Sequence, residues 1–387
     1  MKLKFRKAHI VIAALNAAAL TGALTLTLMG NSAARSQSYN YAAQRWKGEN
    51  KDAYTQISCF FSEDSGFEKS SMKDMKGHIM TKLEEVAVVP EENKTLILDA
   101  YSAKVGNYGL ACDGVGKAEA EITAVGGDFF FFHDFKLMSG SYFDDEDIMH
   151  DGIVLDRKLA WQLYGGEDII GMNIYINNVK LFVSGVIETP DTDAEERCIG
   201  ETPKAYISYD AAEMLFDTGS DDEDHEYGFD KPQQTEFNKV SCYECIVPDP
   251  VEKFAYNTVN DYLGETYKGK CGIVNNSERF KPSVRKKAFK KIEDYAIKND
   301  TVIYPFWENA SRLIDVKLSI YYGIRRYLLF VPIITLIWLA IKVFMMYNRR
   351  KYAMKKAIMR RITDKWEKIT GRAGKISAKR KDKKAEV

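Results

Sequence analysis

The chain has 387 residues, 45% hydrophobic and 12% aromatic, a composition that excludes a disordered polymer and leaves room for two or three domains. Its 55 basic and 55 acidic residues cancel only in total. Residues 1–7 carry four positive charges, residues 349–387 a net of +12, and the stretch between them 35 positive against 51 negative. Basic ends around an acidic middle fit a chain whose termini both face the inner side of a membrane.

The first element is AHIVIAALNAAALTGALTLTLM, residues 8–29, with no Lys, Arg, Asp or Glu. It exceeds the ~20 apolar residues that a bilayer requires. A signal peptide is the rival reading, but a signal core usually runs to only ~7–15 residues, so a retained anchor is expected. Ala14, Ala18 and Gly22 make a small-residue stripe along it. Residues 36–50 read as a polar continuation. Strands follow at 53–62, 94–102 and 118–125, with an amphipathic helix at 67–83. The run of four phenylalanines in GGDFFFFHDFKLMSGSYF, residues 126–143, reads as a strand buried on both faces. An acidic turn, FDDEDIMHD, leads into GIVLDRKLAWQLYGG, residues 152–166.

That last stretch has the outline of a nucleotide-binding strand–turn–helix. Phosphate binding needs glycines in the turn, where backbone donors approach the anion. Here the turn is LDRKL, and the glycines follow the helix as stop signals, with Asp156 as the N-cap. A hairpin is expected from 172–176 and 180–187 around Asn177-Asn178, then a polar loop at 189–202, a strand at 204–208 and a helix at 209–216. Residues 217–234 read as a solvated acidic loop without the alternating carboxylates of a calcium loop. A strand at 236–247, a helix at 250–263 and a short strand at 272–274 complete the series. Residues 286–326 are largely helical, interrupted near Pro305, and lead to YLLFVPIITLIWLAIKVFMMY, residues 327–347, a second span.

Beyond it, Arg349, Arg350 and Lys351 mark the cytoplasmic side. Met354, Ile358, Ile362, Trp366 and Ile369 then form one apolar stripe on a basic helix, a candidate contact for a partner or for anionic membrane lipids. The final residues, GKISAKRKDKKAEV, read as disordered.

Little points to catalysis. GETYKGKC, residues 264–271, approaches a phosphate loop but places Cys271 where a magnesium-binding hydroxyl belongs. The five histidines form no metal-binding spacing, and there is no G-x-S-x-G elbow. Six cysteines, Cys59, Cys112, Cys198, Cys242, Cys245 and Cys271, permit disulfides outside the cytoplasm, with the pairing left open. Cys242 and Cys245 lie three apart on an expected strand, so they point to opposite faces and do not converge on a metal. No enzyme activity, cofactor, metal or nucleic-acid partner is expected.

Residues 137–188 combine Gly140-x-x-Phe143, an acidic stretch, a strand–helix at 153–164, the D-x-I-G turn at 168–171 and a strand at 182–186. This order resembles the MacB-like periplasmic core domain of ABC-transporter permeases. The resemblance implies an α+β extracytoplasmic domain between two transmembrane helices, with a porter-like lobe (41–128 and 235–310) and an inserted sabre-like lobe (129–234). The expected layout is a first transmembrane segment at 1–30, the core at 31–320, a second span at 321–348 and a basic cytoplasmic tail at 349–387. It further implies a permease-like subunit of an ABC-type efflux or mechanotransmission complex in the cell membrane. Its partners would be a separate cytoplasmic ATPase and a second copy or a longer permease. The alternative is a membrane-anchored interaction or sensor protein without transport coupling. Family permeases have three spans after the core where this sequence carries one, so the tail helix is expected to supply the ATPase contact.

Overall fold

The computed structural model describes residues 7–48, 53–90, 95–114, 116–145, 147–177, 179–217, 239–288 and 301–384. The chain forms two compact units, one of residues 27–323 and one of residues 1–26 with 324–387.

The larger unit is built on a mixed sheet. Its strands are β1 (Tyr54–Phe61), β2 (Leu98–Cys112), β3 (Lys117–Gly127), β4 (Leu137–Gly140), β5 (Gly152–Asp156), β6 (Asn173–Ile176), β7 (Val179–Ile187), β8 (Lys204–Ser208), β9 (Cys242–Pro248) and β10 (Cys271–Asn275). They run in the order β10-β1-β9-β2-β3-β8-β5-β7-β4, with β6 joining β2 and β7. The pairs β3·β8 and β5·β7 are parallel and the rest antiparallel.

Helices cover both faces. On one face α3 (Lys69–Glu85), α5 (Arg157–Tyr164), α7 (Tyr209–Asp217) and α8 (Phe254–Thr266) close the main core, with Met75, Ile79, Leu159, Ala160, Ala212 and Val259 fully buried. On the other lie a 3-10 turn (Ser38–Tyr41), α2 (Ala42–Lys47), α4 (Phe129–Phe132), α6 (Asp193–Ile199) and the first turn of the last long helix. Because side chains alternate along a strand, Cys245 enters the main core while Cys242 packs against Phe60 and Val302 on the opposite face. The two thiols therefore diverge, and burial pushes both well above the ordinary thiol range, which leaves them poor nucleophiles.

The strand–helix at 152–164 folds as its residues dictate. Asp156 ends β5 and caps α5, its Oδ1 accepting from the Leu159 amide at 2.8 Å. Gly165 closes the helix with φ of 73°, a left-handed conformation that side chains resist. Asp156 has a second task that its sequence position does not show: Oδ2 accepts from the Lys204 amide at 2.9 Å and so ties β8 to β5. Asp156→Ala would leave two buried amides without acceptors and should cost about 2 kcal/mol or more, read as a lower denaturant midpoint.

Several expectations are corrected. The four phenylalanines form a helical turn, not a strand. A turn sends Phe129 and Phe132 inward together, at 1% and 0% exposure, whereas alternation would have split them. Within the loop expected at 189–202 lies α6, started by a reciprocal capping box between Thr192 and Glu195. The helix expected from 250 starts at Phe254, after Lys253 takes a left-handed conformation and Asp249 accepts from the Ala255 amide. The acidic loop from residue 218 and the strand residues 236–238 lie outside the described residues; β9 begins at Cys242. Lys270, of the loop-like GETYKGKC, donates to the carbonyl of Asp64 at 2.8 Å.

After α9 (Asn276–Arg279) and α10 (Pro282–Ala288) comes α11 (Phe306–Lys384). Its helical backbone runs through the tail segment read as disordered, where a single glycine and no proline follow Gly371.

The smaller unit is formed by parts of α1 (Lys7–Arg35) and α11, both long and apolar enough to cross a membrane, with mean hydropathies of 1.8 and 2.4 over their most apolar stretches. They touch through polar and small groups: Thr335 Oγ1 lies 2.9 Å from Asn16 Oδ1, and Gly22 faces Leu328. Of the expected stripe only Gly22 takes part. Ala14 and Ala18 are exposed, and Ala19 and Ala23 are buried instead.

Candidate functional site

The larger unit carries a buried charge cluster at the first turns of α11. Glu308, Ser311 and Asp315 recur at helical spacing and face the sheet domain, each 2% or 3% exposed. Arg279, at the end of α9, enters between them. Its Nη1 and Nη2 donate to the two carboxylate oxygens of Glu308 at 2.6 and 2.9 Å, and its Nε donates to Asp315 Oδ2 at 2.9 Å. This two-pronged geometry suits a guanidinium and no other cation. Arg285 Nη1 lies 2.8 Å from Asp315 Oδ1 as a charge contact, and Arg312 Nε donates to Glu308 Oε1 at 2.7 Å. Burial opposes the Arg279 charge, but Glu308 and then Asp315 outweigh it and hold the guanidinium above its ordinary range. On the far side Asn40 Nδ2 donates to Ser311 Oγ at 2.7 Å, so the chain leaving α1 is tied to the same helix.

From this cluster a polar chain runs into the sheet. Asn276 Nδ2 donates to Ser58 Oγ at 2.6 Å, Ser58 Oγ donates to Glu244 Oε1 at 2.5 Å, and His133 Nε2 lies 2.6 Å from Glu244 Oε2. His133 is fully buried among Phe129, Tyr39 and Trp307, whose ring centroids lie 4.2, 5.4 and 4.7 Å away. His133 Nδ1 and Trp307 Nε1 have no hydrogen-bond partner among the described residues. The chain thus links the segment after β3, strands β9 and β1, helix α9 and helix α11.

Such an arrangement holds elements together. A buried ion pair gains little over an apolar equivalent, but losing one partner strands a charge at a cost of about 3–5 kcal/mol. The elements it joins therefore move as one body or break a costly network.

The tail residues singled out from sequence lie elsewhere. Met354, Ile358, Ile362 and Trp366 project from α11 in the smaller unit and are 65%, 56%, 46% and 66% exposed. The side chain of Ile369 lies outside the described residues. No acidic or basic residue of the buried cluster was picked out from sequence. The usable signal was the i, i+7 pair Glu308 and Asp315 on a helix leading to an apolar span, beside the arginines at 279 and 285. Among the described residues, no group of three or more His, Cys, Asp or Glu is placed to hold a metal.

Comparison with known proteins gives three kinds of similarity. The profile of the MacB-like periplasmic core domain matches residues 16–229. The macrolide export ATP-binding/permease protein MacB of Pasteurella multocida (strain Pm70) is 30% identical over 78 residues, which is 20% of this chain and 12% of that relative's length. Among solved structures, the periplasmic region of MacB from Actinobacillus actinomycetemcomitans is 12% identical, covering 62% of this chain and 92% of that one, with a TM-score of 0.38. The extracellular domain of the noncanonic ABC-type transporter YknZ from Gram-positive bacteria is also 12% identical, covering 57% and 100%, with a TM-score of 0.37.

Proposed function

The chain belongs to the family of MacB-like periplasmic core domains, and from that membership we propose that it is a permease-like membrane subunit of an ABC-type complex. In this reading a separate cytoplasmic ATPase moves α11, and the extracytoplasmic domain turns that motion into efflux or into action on an external partner. Residues 31–320 lie outside the cytoplasm, and both termini lie inside it. Within the core, residues 41–128 and 235–310 act as a porter-like lobe and residues 129–234 as a sabre-like lobe.

The observation that carries the reading is the Arg279–Glu308–Asp315 cluster. A membrane anchor needs only a span and a tether, whereas a lever needs its helix fixed rigidly to the body it moves. Here the first turns of α11 are fixed by buried, two-pronged ion pairs, and the polar chain continues from them to His133. The basic tail helix, with Met354, Ile358, Ile362 and Trp366 on one stripe, serves as the contact with the ATPase.

The test is affinity purification of the full chain from its own membrane in mild detergent. An ATPase subunit carrying a phosphate loop should co-purify. Truncation after Asn348 should lower its recovery about tenfold or more, as should Ala at Met354, Ile358, Ile362 and Trp366 together, since four large apolar contacts would be lost. If no ATPase is recovered and truncation changes nothing, the chain is an anchored interaction or sensor protein instead. If truncation affects only binding to anionic vesicles, the tail contacts lipid and not the ATPase.

A further inference from the structure

Lys342 is the only charged residue in the apolar stretch Tyr327–Tyr347 of α11. A lysine near the end of a span ordinarily extends its stem toward the interface and keeps its ammonium in water. Here the stem runs the other way. Side chains on a helix lean toward its N-terminus, and Lys342 Nζ lies over the Trp338 ring, 4.6 Å from its centroid. Trp338 is eleven residues from Tyr327 and nine from Tyr347. At about 1.5 Å per residue, the ammonium sits about 15 Å from either end of the stretch, at the middle of a hydrocarbon core about 30 Å thick.

A charge at that depth is costly, and a cation–π contact offsets only part of the cost. The remainder calls for a carboxylate, and the membrane helices of this chain hold none. Residues 1–48, which include α1, contain no Asp or Glu. The nearest along α11 are Asp315 and Asp364, 27 and 22 residues from Lys342 and beyond both ends of the apolar stretch. A second copy has the same two helices and the same lack. Lipid phosphates lie at the bilayer surface, out of reach of an ammonium at mid-span.

Beside Lys342 the helix has room for a partner. Leu339, Ala340, Val343 and Phe344 line an open apolar groove, and Leu339, Val343 and Phe344 are 50%, 53% and 64% exposed. No residue in the most apolar stretch of α11 is buried by the rest of the chain. Ala340, with its small side chain, lets another helix approach closely. We infer that this face of α11 binds a transmembrane helix of a different protein, and that an Asp or Glu near the middle of that helix pairs with Lys342. The inference needs residues 327–347 to span the bilayer and does not depend on the contact between the tail and an ATPase.

The experiment places the photo-crosslinking residue p-benzoylphenylalanine at position 339 of the full chain in its own membrane and sequences the adduct. The expected adduct joins a different chain at an apolar helix that carries a carboxylate. Lys342→Met keeps most of the stem without the charge and should lower the yield about tenfold or more, whereas Lys342→Arg should leave most of it. Lys342→Glu should also remove the adduct, and changing the identified carboxylate of the partner to lysine should then restore it. The melting temperature of the sheet domain should be the same in all of these chains, so that the losses report pairing and not unfolding. An adduct only with a second copy or with lipid, no adduct, or a yield indifferent to Lys342→Met overturns the inference. A parallel Ala340→Cys chain treated with a water-soluble maleimide separates the two ways of failing. Labelling above that of the native cysteines before detergent is added shows that the stretch lies outside the bilayer, and the span fails with the inference. Protection without an adduct leaves the span in place and removes only the pairing.

Discussion

Arg279→Met should destabilise the sheet domain by about 3–5 kcal/mol, because it leaves Glu308 and Asp315 buried without their shared cation. For a unit of this size each kcal/mol moves the melting temperature by roughly 2–4 °C, so a loss on the order of 10 °C is expected from the full chain in detergent. Arg279→Lys keeps the charge but has one ammonium where the fork reaches two carboxylates. It should fall between wild type and methionine. The decisive variant combines Arg279→Met with Glu308→Gln, which removes one charge of each sign and leaves Asp315 its contact with Arg285. If stranded charge is what costs stability, removing the Glu308 carboxylate restores part of it. A double variant less stable than Arg279→Met, or an Arg279→Met change below about 0.5 kcal/mol, would show that the cluster does not hold α11 in place.

Leu163→Asp should have an effect at least as large. Leu163 is 5% exposed on the inner face of α5, in the core that Leu155, Leu159 and Ile174 also line. A carboxylate there has no cation and no water, so a loss above about 4 kcal/mol is expected. The matched control is Gln162→Asp, one residue earlier on the exposed face of the same helix. It should cost less than about 1 kcal/mol, from a negative charge near a helix C-terminus. Limited proteolysis of the two chains separates the outcomes. Equal resistance would mean that this helix is not a packing element of the domain.

The GIVLDRKLAWQLYGG stretch shows how far local rules reach. Its strand, N-cap, inward face of Leu159, Ala160 and Leu163, and glycine stop are all local properties, and all are present in the structure. The same holds for α3 and for the divergence of Cys242 and Cys245. Where two local rules compete, the tertiary environment decides between them. Aromatic β-propensity suggested a strand for Phe129–Phe132, but the space beside Tyr206 and Trp307 accepts two rings from one helical turn. In the segment at 189–202 polar composition argues for a loop, while the Thr192–Glu195 capping box starts a helix.

What the sequence by itself determined is the class of the chain: two apolar helices, an acidic α+β domain between them, and an order of elements that marks its family. Each of these follows from hydropathy, period and caps, which depend on residues a few positions apart. The buried cluster depends on the tertiary structure. Arg279 and Glu308 are 29 residues apart, His133 and Glu244 are 111, and Asn40 and Ser311 are 271. A polar residue on a helix reads the same whether it meets water or a partner, and only the fold decides which.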